Sequence, residues 1–375
     1  MKSRLSFINQ QLEYIKRNNL YRKMYDVKNI GPNISVNSKK LINLCSNDYL
    51  GIKSPKISRK QNQSSSRLIA GNDESFKILE SKLAKHKSQD SALIFPTGYM
   101  ANLGVISSLI QKNDHVYSDE FNHASLIEAC KMTGAKITIF KHNDMYDLNS
   151  KIKTDSKRKF IITEGIFSMD GDCADLKIIS EISQKHDAIT ILDDAHGDFI
   201  IGKDGGGSAN YFGVEKKIDI YTSSLSKGLG SFGGYIASQK NVIELSINKS
   251  KSFIYTSALP SLFIDDAIKR FDSDREKRRK KLWENTNYFS TCLKKIGYEN
   301  KSKSHIIPIM IGKEKLAIEF AIYLRKNGIF VHPIRYPTVP KNQSRIRISI
   351  TASLTKKQIE FSLDVFDKAR KKFQI

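Results

Sequence analysis

The chain has 375 residues, is 39% apolar, and carries 62 Lys and Arg against 39 Asp and Glu, a formal charge of +23. That length permits two or three domains around a large core. No run reaches the ~20 apolar residues of a membrane span, and the first residues lack a signal-peptide apolar core. The cysteines Cys45, Cys130, Cys173 and Cys292 form no C-x-x-C pair. Together these features argue against a membrane protein, a disulfide scaffold and a zinc site, and they lead us to expect a cytoplasmic protein without a metal. Nucleic-acid binding predicts basic residues clustered on one face. Here they are spread along the chain, with one dense run at Arg275–Lys281 expected to be the solvated face of a helix. Compositional bias accounts for the excess; the functional alternative is attraction of an acidic partner or substrate.

In chain order, residues 1–38 read as an N-terminal arm, with mixed helical periodicity from Leu5 to Met24 and Gly31-Pro32-Asn33 ending it. Lys40–Cys45 reads as a short strand, Ser46–Gly51 as a polar turn, Ser64–Gly71 as a small-residue loop, and Glu74–His86 as a helix. From Ser91, strand and helix alternate: strands at 92–95, 115–117, 136–140, 160–163, 188–192 and 218–222, with helices between them. Glycine-rich loops are expected at Gly202–Gly207 and Gly228–Gly234. Such alternation predicts an α/β fold, a mostly parallel sheet flanked by helices, over residues 39–262. Past Pro260 the pattern changes to a long helical region from Leu262 to Leu293, short strands at 306–310, 330–331 and 345–350, and a closing helix at 355–373. Residues 263–375 are therefore expected to form a smaller α+β C-terminal domain with an antiparallel sheet.

Two strand ends carry the chemistry. Ala188–Leu192 runs into Asp193-Asp194-Ala195-His196, and Ile218–Thr222 runs into Ser223-Ser224-Leu225-Ser226-Lys227. Ligands bind at the carboxyl ends of strands in open α/β sheets. A lysine to form a Schiff base and an acid to keep a pyridine nitrogen protonated are what a pyridoxal phosphate site needs. Gly98, opening a helix after a strand, would leave N–H groups free for an anion. A lysine after a strand is also an ordinary solvated group, and Asp with His at a strand end an ordinary turn or cap.

The ordered runs Ser46–Gly51, Ser66–Asn72, Asn122–Leu126, Thr163–Asp172, Asp193–Gly197, Ser226-Lys227, Phe253–Pro260 and Tyr336–Pro340 carry a resemblance. Over nearly its full length the chain resembles the α-oxoamine synthases, pyridoxal 5'-phosphate enzymes of fold type I. Details of the first, second and fifth runs are similar to the branch that condenses L-alanine with a pimeloyl thioester, on coenzyme A or an acyl carrier protein, in biotin synthesis. Sister members that use glycine or serine, among them glycine acetyltransferase, 5-aminolevulinate synthase and serine palmitoyltransferase, share the scaffold. A non-catalytic basic scaffold is the reading from another class, and the presence of both Lys227 and Asp193 argues against it.

The resemblance implies roles for particular residues. Lys227 would be the Schiff-base lysine and the base for the α-proton, Asp193 the partner of the pyridine nitrogen, and His196 that of the phenolic oxygen. His123 would stack on the ring, with a helix cap as its alternative, and Ser168 would lie beside ring oxygen and substrate. Gly98, Tyr99 and Ser224 would hold the phosphate. Thr256 and Ser257 would reach the phosphate of a second subunit, which implies a homodimer with shared active sites. Asn47 and Arg347 would hold the substrate carboxylate, Thr338 would face the substrate, and Arg22 would meet the acyl chain. The chain departs from the family pattern at Gln63-Ser-Ser-Ser66, where glycines are usual, and at Asp198-Phe199, where a small residue and a glycine are usual. Phe199 would either narrow the acyl channel or repack its wall.

Overall fold

The computed structural model describes residues 4–57, 65–152 and 158–375; Gln63 and Ser64 of the serine-rich departure lie outside them. The chain divides into two compact units, residues 47–168 with 172–280, and residues 1–46 with 169–171 and 281–375. In the second of these, helix Ser6–Arg17 precedes strands β1 (Val27–Ile30), β2 (Asn33–Val36) and β3 (Lys39–Asn43). Gly31-Pro32 does not end an arm but turns a hairpin: β1 pairs antiparallel with β2, and β2 with β3. Gly31 has φ +56°, the left-handed backbone that a tight turn of this kind takes and that glycine adopts most readily.

The larger unit holds β4 (Ser91–Phe95), β5 (His115–Asp119), β6 (Lys136–Phe140), β7 (Lys159–Glu164), β8 (Ala188–Asp193), β9 (Ile220–Ser224) and β10 (Gly234–Ser238). They form one sheet in the order β4-β10-β9-β8-β7-β5-β6. Every pair from β9 to β6 is parallel, whereas β10 runs antiparallel to both β9 and β4. This is the mostly parallel α/β sheet expected. The sequence reading missed β10, which begins at the last glycine of the Gly228–Gly234 loop. Strands β5, β9 and β10 are buried at every position, as strands covered on both faces must be. One face packs Phe95, Phe160, Ile162, Ile191 and Ile236 against Val105, Ile106 and Leu126 of the flanking helices.

Three helices that flank the sheet begin at a side-chain cap: Thr97 accepts from the Met100 N–H, His123 from that of Ser125, and Asp175 from that of Ile178. Each cap satisfies a donor that the first helical turn leaves open. The helical region past Pro260 is two helices, Ser261–Phe271 and Arg275–Lys295. The basic run at its centre is not simply solvated. Arg279 is buried, Arg278 Nε donates to the Leu50 carbonyl at 2.6 Å, and the Arg275 guanidinium lies 4.4 Å from the Phe271 ring centre. Long basic side chains commonly bury their stems this way.

In the smaller unit, β11 (Ile306–Gly312), β12 (Ile329–Phe330), β13 (Pro333–Ile334) and β14 (Ser344–Ser349) follow. The order β11-β14-β13 makes an antiparallel sheet, while β12 adds in parallel to β3. Residues 39–46 thus share a unit with the C-terminal strands through the β3–β12 pairing. Helix Lys356–Phe373 closes the chain with a capping box of Thr355 and Gln358.

Candidate active site

Strands β4, β5, β7, β8 and β9 point the same way, and each leads at its carboxyl end into residues singled out from the sequence. β4 leads to Gly98 and Tyr99, β5 to His123, β7 to Ser168, β8 to Asp193 and His196, and β9 to Ser224 and Lys227. The register sets Glu164, Asp193 and Thr222 side by side across β7, β8 and β9.

Two hydrogen-bonded chains run through this edge. In the first, Lys227 Nζ lies 2.9 Å from His196 Nε2. The other ring nitrogen of His196, Nδ1, is 2.7 Å from the Tyr49 hydroxyl, which donates to Asn47 Oδ1 at 3.0 Å. Because Tyr49 donates to Asn47, it accepts from Nδ1–H of His196, which turns Nε2 toward Lys227. In the second chain, the Asn102 amide donates to Asp193 Oδ2 at 2.7 Å and to Ser125 Oγ at 2.9 Å. Ser125 Oγ lies 2.7 Å from His123 Nδ1, which also takes the Ser125 N–H. Asp193 further accepts the Ala195 N–H at 3.0 Å. His123 therefore both caps its helix and presents an exposed ring held at one nitrogen. The surroundings of that nitrogen are enclosed; burial lowers the pKa of His123, Asp193 offsets part of that, and Lys227 adds to it.

Sequence reasoning passed over Tyr49 and Asn102. Tyr49 stands in the Ser46–Gly51 run without an assigned role. Asn102 is the polar residue buried in an otherwise apolar helix start, a signal that was available.

The fit of a phosphorylated pyridine can be judged from the cradle between β4, β9 and β10. A Cβ on Gly98 would meet the Ser224 Cβ at 3.0 Å, and one on Gly234 would meet the Gly98 nitrogen at 2.3 Å. Only glycines let the helix start approach β9 and β10 this closely. The Gly98 and Tyr99 N–H groups, which a first helical turn leaves open, thus share one cradle with the Ser224 hydroxyl. The donor set suits a phosphate, Asp193 suits a ring nitrogen, and Lys227 suits an aldehyde.

Beneath the site lies a buried ionic network that includes the Asp198-Phe199 departure. Lys87 Nζ is 2.8 Å from Asp194 Oδ2 and 2.7 Å from Asp198 Oδ1. Asp198 also meets His86 Nε2 at 3.0 Å and accepts from Ser223 at 2.7 Å and Tyr235 at 2.5 Å. Asp194 accepts from the Ser208 N–H and hydroxyl. Burial opposes the charge on Lys87, but Asp194 and Asp198 outweigh it and raise its pKa. Burial opposes ionisation of Asp198 too, yet Lys87 and His86 hold it below the ordinary carboxylate range. Burial pushes the Asp194 carboxyl up, and Lys87 only partly pulls it back. Phe199 is fully buried, with its ring 4.7 Å from and parallel to His86. It also packs edge-on against Phe271, so its ring contacts here are with His86 and Phe271.

Loop 165–175, which carries Ser168, is held by His142. Its Nδ1 is 2.9 Å from Asp119 Oδ1 and its Nε2 is 2.9 Å from Asp172 Oδ2. Thr256 and Ser257 follow helix Lys251–Ile254, beside the exposed Tyr255. In the smaller unit, Arg22 Nη2 donates to Thr338 Oγ1 at 3.1 Å, and Arg347 Nη1 on β14 donates to Ser349 Oγ at 2.9 Å.

Comparison with known proteins decides the family. The model of the aminotransferase class I and II family matches residues 39–366. The 8-amino-7-oxononanoate synthase of Thermoanaerobacter pseudethanolicus is 38% identical over 99% of this chain and 98% of its own. 8-Amino-7-oxononanoate synthase 1 of Bacillus subtilis is 35% identical over the whole of both. The chain belongs to the 8-amino-7-oxononanoate synthase branch of the α-oxoamine synthases. Among solved structures, the serine palmitoyltransferase of Sphingomonas wittichii superposes with a TM-score of 0.90 at 26% identity, covering 99% of this chain and 98% of that one. The 8-amino-7-oxononanoate synthase of Francisella tularensis does so at 0.77 and 28%, covering 89% and 99%. A further serine palmitoyltransferase, at 0.91 and 26% over the whole of both chains, was solved with PLP. These neighbours give the α/β sheet its place in fold type I. Among the described residues, no helix is long and apolar enough to cross a membrane.

Proposed function

We propose that the protein is a pyridoxal 5'-phosphate-dependent acyltransferase that condenses L-alanine with a pimeloyl thioester, releasing carbon dioxide and the thiol and forming 8-amino-7-oxononanoate for biotin synthesis. The observation that carries this is the Lys227–His196 contact on the same strand edge as Asp193, in a chain similar end to end to enzymes of that name. Working as a homodimer in the cytoplasm is part of the reading.

Bound pyridoxal phosphate supplies an electron sink for the charge left when a proton or carboxylate leaves the amino acid. Lys227 would hold its aldehyde carbon, Asp193 its ring nitrogen, His123 its ring face, and His196 with Ser168 its phenolic oxygen. Gly98, Tyr99 and Ser224 would hold its phosphate, joined by Thr256 and Ser257 of the second subunit. Asp193 accepts from the Asn102 amide and the Ala195 N–H, which fix the direction its carboxylate presents to the ring nitrogen. Lys227 removes the α-proton of L-alanine as a free amine and returns a proton later. His196, whose Nε2 faces it, orients its amine. Arg347 would clamp the substrate carboxylate with its two-pronged guanidinium, and Asn47, oriented by Tyr49, would add a donor. The acyl chain would pass Arg22 and Thr338.

The test is an absorbance titration of the holoenzyme with L-alanine, glycine and L-serine. A selective response to L-alanine, extended by a pimeloyl thioester, is expected. A selective response to glycine or serine would move the protein to a sister activity, and no cofactor band after adding pyridoxal phosphate would overturn the enzymatic reading.

A further inference from the structure

Within the loop that carries Ser168 the chain leaves the larger unit and returns. Ser168 and Asp172 belong to the larger unit, and Met169–Gly171 between them belong to the smaller one. Several contacts inside the smaller unit hold this short excursion. Arg345, buried on β14, pairs with the Asp170 carboxylate, a charge-assisted bond of the stronger kind. The Gly171 carbonyl accepts from Ser302 Oγ at 3.2 Å and from the Lys303 N–H at 3.3 Å. Gly171 has φ +70°, and a Cβ there would run into the Ile306 carbonyl and the Ser302 and Ser304 hydroxyls, so glycine is what lets the backbone come this close. The loop resumes in the larger unit at Asp172, which meets His142 Nε2 at 2.9 Å and accepts the Phe167 N–H on its carbonyl at 3.0 Å. Ser168 thus stands between Phe167, tied into the larger unit, and Asp170, tied into the smaller one.

Strand β14 gives that tie its meaning. Residues two apart on a strand share a face. Ile346 and Ile348, both fully buried, occupy one face of β14. Arg345, Arg347 and Ser349 share the other, where Arg347 Nη1 donates to Ser349 Oγ at 2.9 Å. Both arginines are fixed in register by antiparallel neighbours: Met310 of β11 and Ile334 of β13 stand opposite Arg345, and Pro308 of β11 opposite Arg347. Arg347 is the residue read above as the clamp on the substrate carboxylate, and Ser168 as a neighbour of the cofactor's phenolic oxygen. The strand that would hold the carboxylate therefore also holds the loop that carries Ser168.

We propose that Asp170 and Arg345 are positioning residues for Ser168: their ion pair sets the place of Ser168 from β14, so that one strand governs both the carboxylate clamp and the hydroxyl beside the cofactor. This rests on the reading of the site above, to which it adds two residues. Both act through the backbone of residues 168–170.

The test compares wild type with Asp170→Asn, Ser168→Ala and the double variant that combines them. Asn keeps an oxygen for the Arg345 guanidinium and removes the charge, which avoids the costly case of a buried ion left without any acceptor. Each protein is measured twice, by amide hydrogen exchange over residues 165–175 without cofactor and by L-alanine titration of the cofactor band in the holoenzyme. Asp170→Asn should speed exchange at residues 168–171 about tenfold and raise the L-alanine concentration at half-response about tenfold. The double variant should need no more L-alanine than Ser168→Ala alone, because Asp170 then has no hydroxyl to place; a merely structural role would add its effect to that of Ser168→Ala. Arg345→Lys, which keeps the charge and loses the fork, carries the same comparison should Asp170→Asn fold poorly. Exchange as slow as in wild type, or an L-alanine effect that adds in full to that of Ser168→Ala, would overturn the proposal. Exchange needs neither cofactor nor substrate, so a wild type that responds to L-alanine beside an unmoved Asp170→Asn removes this proposal alone and leaves the synthase reading standing.

Discussion

Lys87 and Lys227 both end on the turn that follows β8, and the turn treats them differently. Lys87 is fully buried between two carboxylates, Asp194 at 2.8 Å and Asp198 at 2.7 Å. Lys227 is half-buried and meets the ring nitrogen of His196 at 2.9 Å. A lysine between two buried carboxylates keeps its proton. A lysine beside an imidazole, with no carboxylate fixing its charge in that contact, can give one up and take one back, as a Schiff-base lysine and general base must. One short turn, Asp193–Asp198, thereby supplies both a fixed charge that ties helix Glu74–His86 to the strand ends and a mobile one that does chemistry.

The comparison predicts that the two lysines fail in different ways. Lys227→Ala should lower turnover by about 10²–10⁴-fold or more and abolish the cofactor band's response to L-alanine, while thermal unfolding shifts little. Comparable turnover in that variant would break the assignment; an unfolded protein would show that Lys227 is structural as well. Lys87→Met should do the reverse. It leaves Asp194 and Asp198 buried without their counter-charge, a loss of about 3–5 kcal/mol, read as a fall in melting temperature. Lys87→Met with Asp198→Asn should recover part of that stability, because the two sites are coupled. A Lys87→Met protein as stable as wild type would mean that His86, Ser223 and Tyr235 satisfy Asp198 unaided.

The same contrast explains what could be read from the sequence. Strand ends were legible because a strand buried on both faces is a continuous apolar run, and the polar residue that stops it stands out: Ile191-Leu192 then Asp193, Tyr221-Thr222 then Ser223. The networks behind those residues were not legible, because their partners are far away in the chain. Lys87 is 107 positions from Asp194, Asn102 is 91 from Asp193, and Tyr49 is 147 from His196. Asp198-Phe199 stood out as a departure, but its meaning depends on His86 and Lys87, which lie in another element. Strand β10 was hidden because its reversal between β9 and β4 is a property of the sheet and not of the segment. The β1–β2 hairpin is hard to read from the sequence because a Gly-Pro pair after a polar helical stretch also suits the end of an arm.

His142 sharpens the comparison at the smallest scale, since it stands to His196 as Lys87 stands to Lys227. The ring nitrogens of His196 meet a phenol and an amine; those of His142 meet two carboxylates, Asp119 and Asp172. Burial alone would lower the pKa of His142, but the hydrogen bonds to Asp119 and Asp172 more than offset it and lift the pKa to about 10. The folded value lies above the unfolded one near 6.5, so the folded state holds this proton more tightly. The stabilisation is complete below about pH 6.5 and is lost as pH rises toward 10. Wild-type stability should therefore decline across that window, with loop 165–175 exchanging its amide hydrogens faster at the alkaline end. His142→Gln has no proton to lose there, so its stability should be lower at pH 6 and should fall less between pH 6.5 and 10. Parallel pH–stability curves for the two proteins would show that the imidazolium does not hold the loop. The loop that carries Ser168 would then be held by other contacts, the backbone bonds Phe167–Asp172 and Ala174–Gly165 among them.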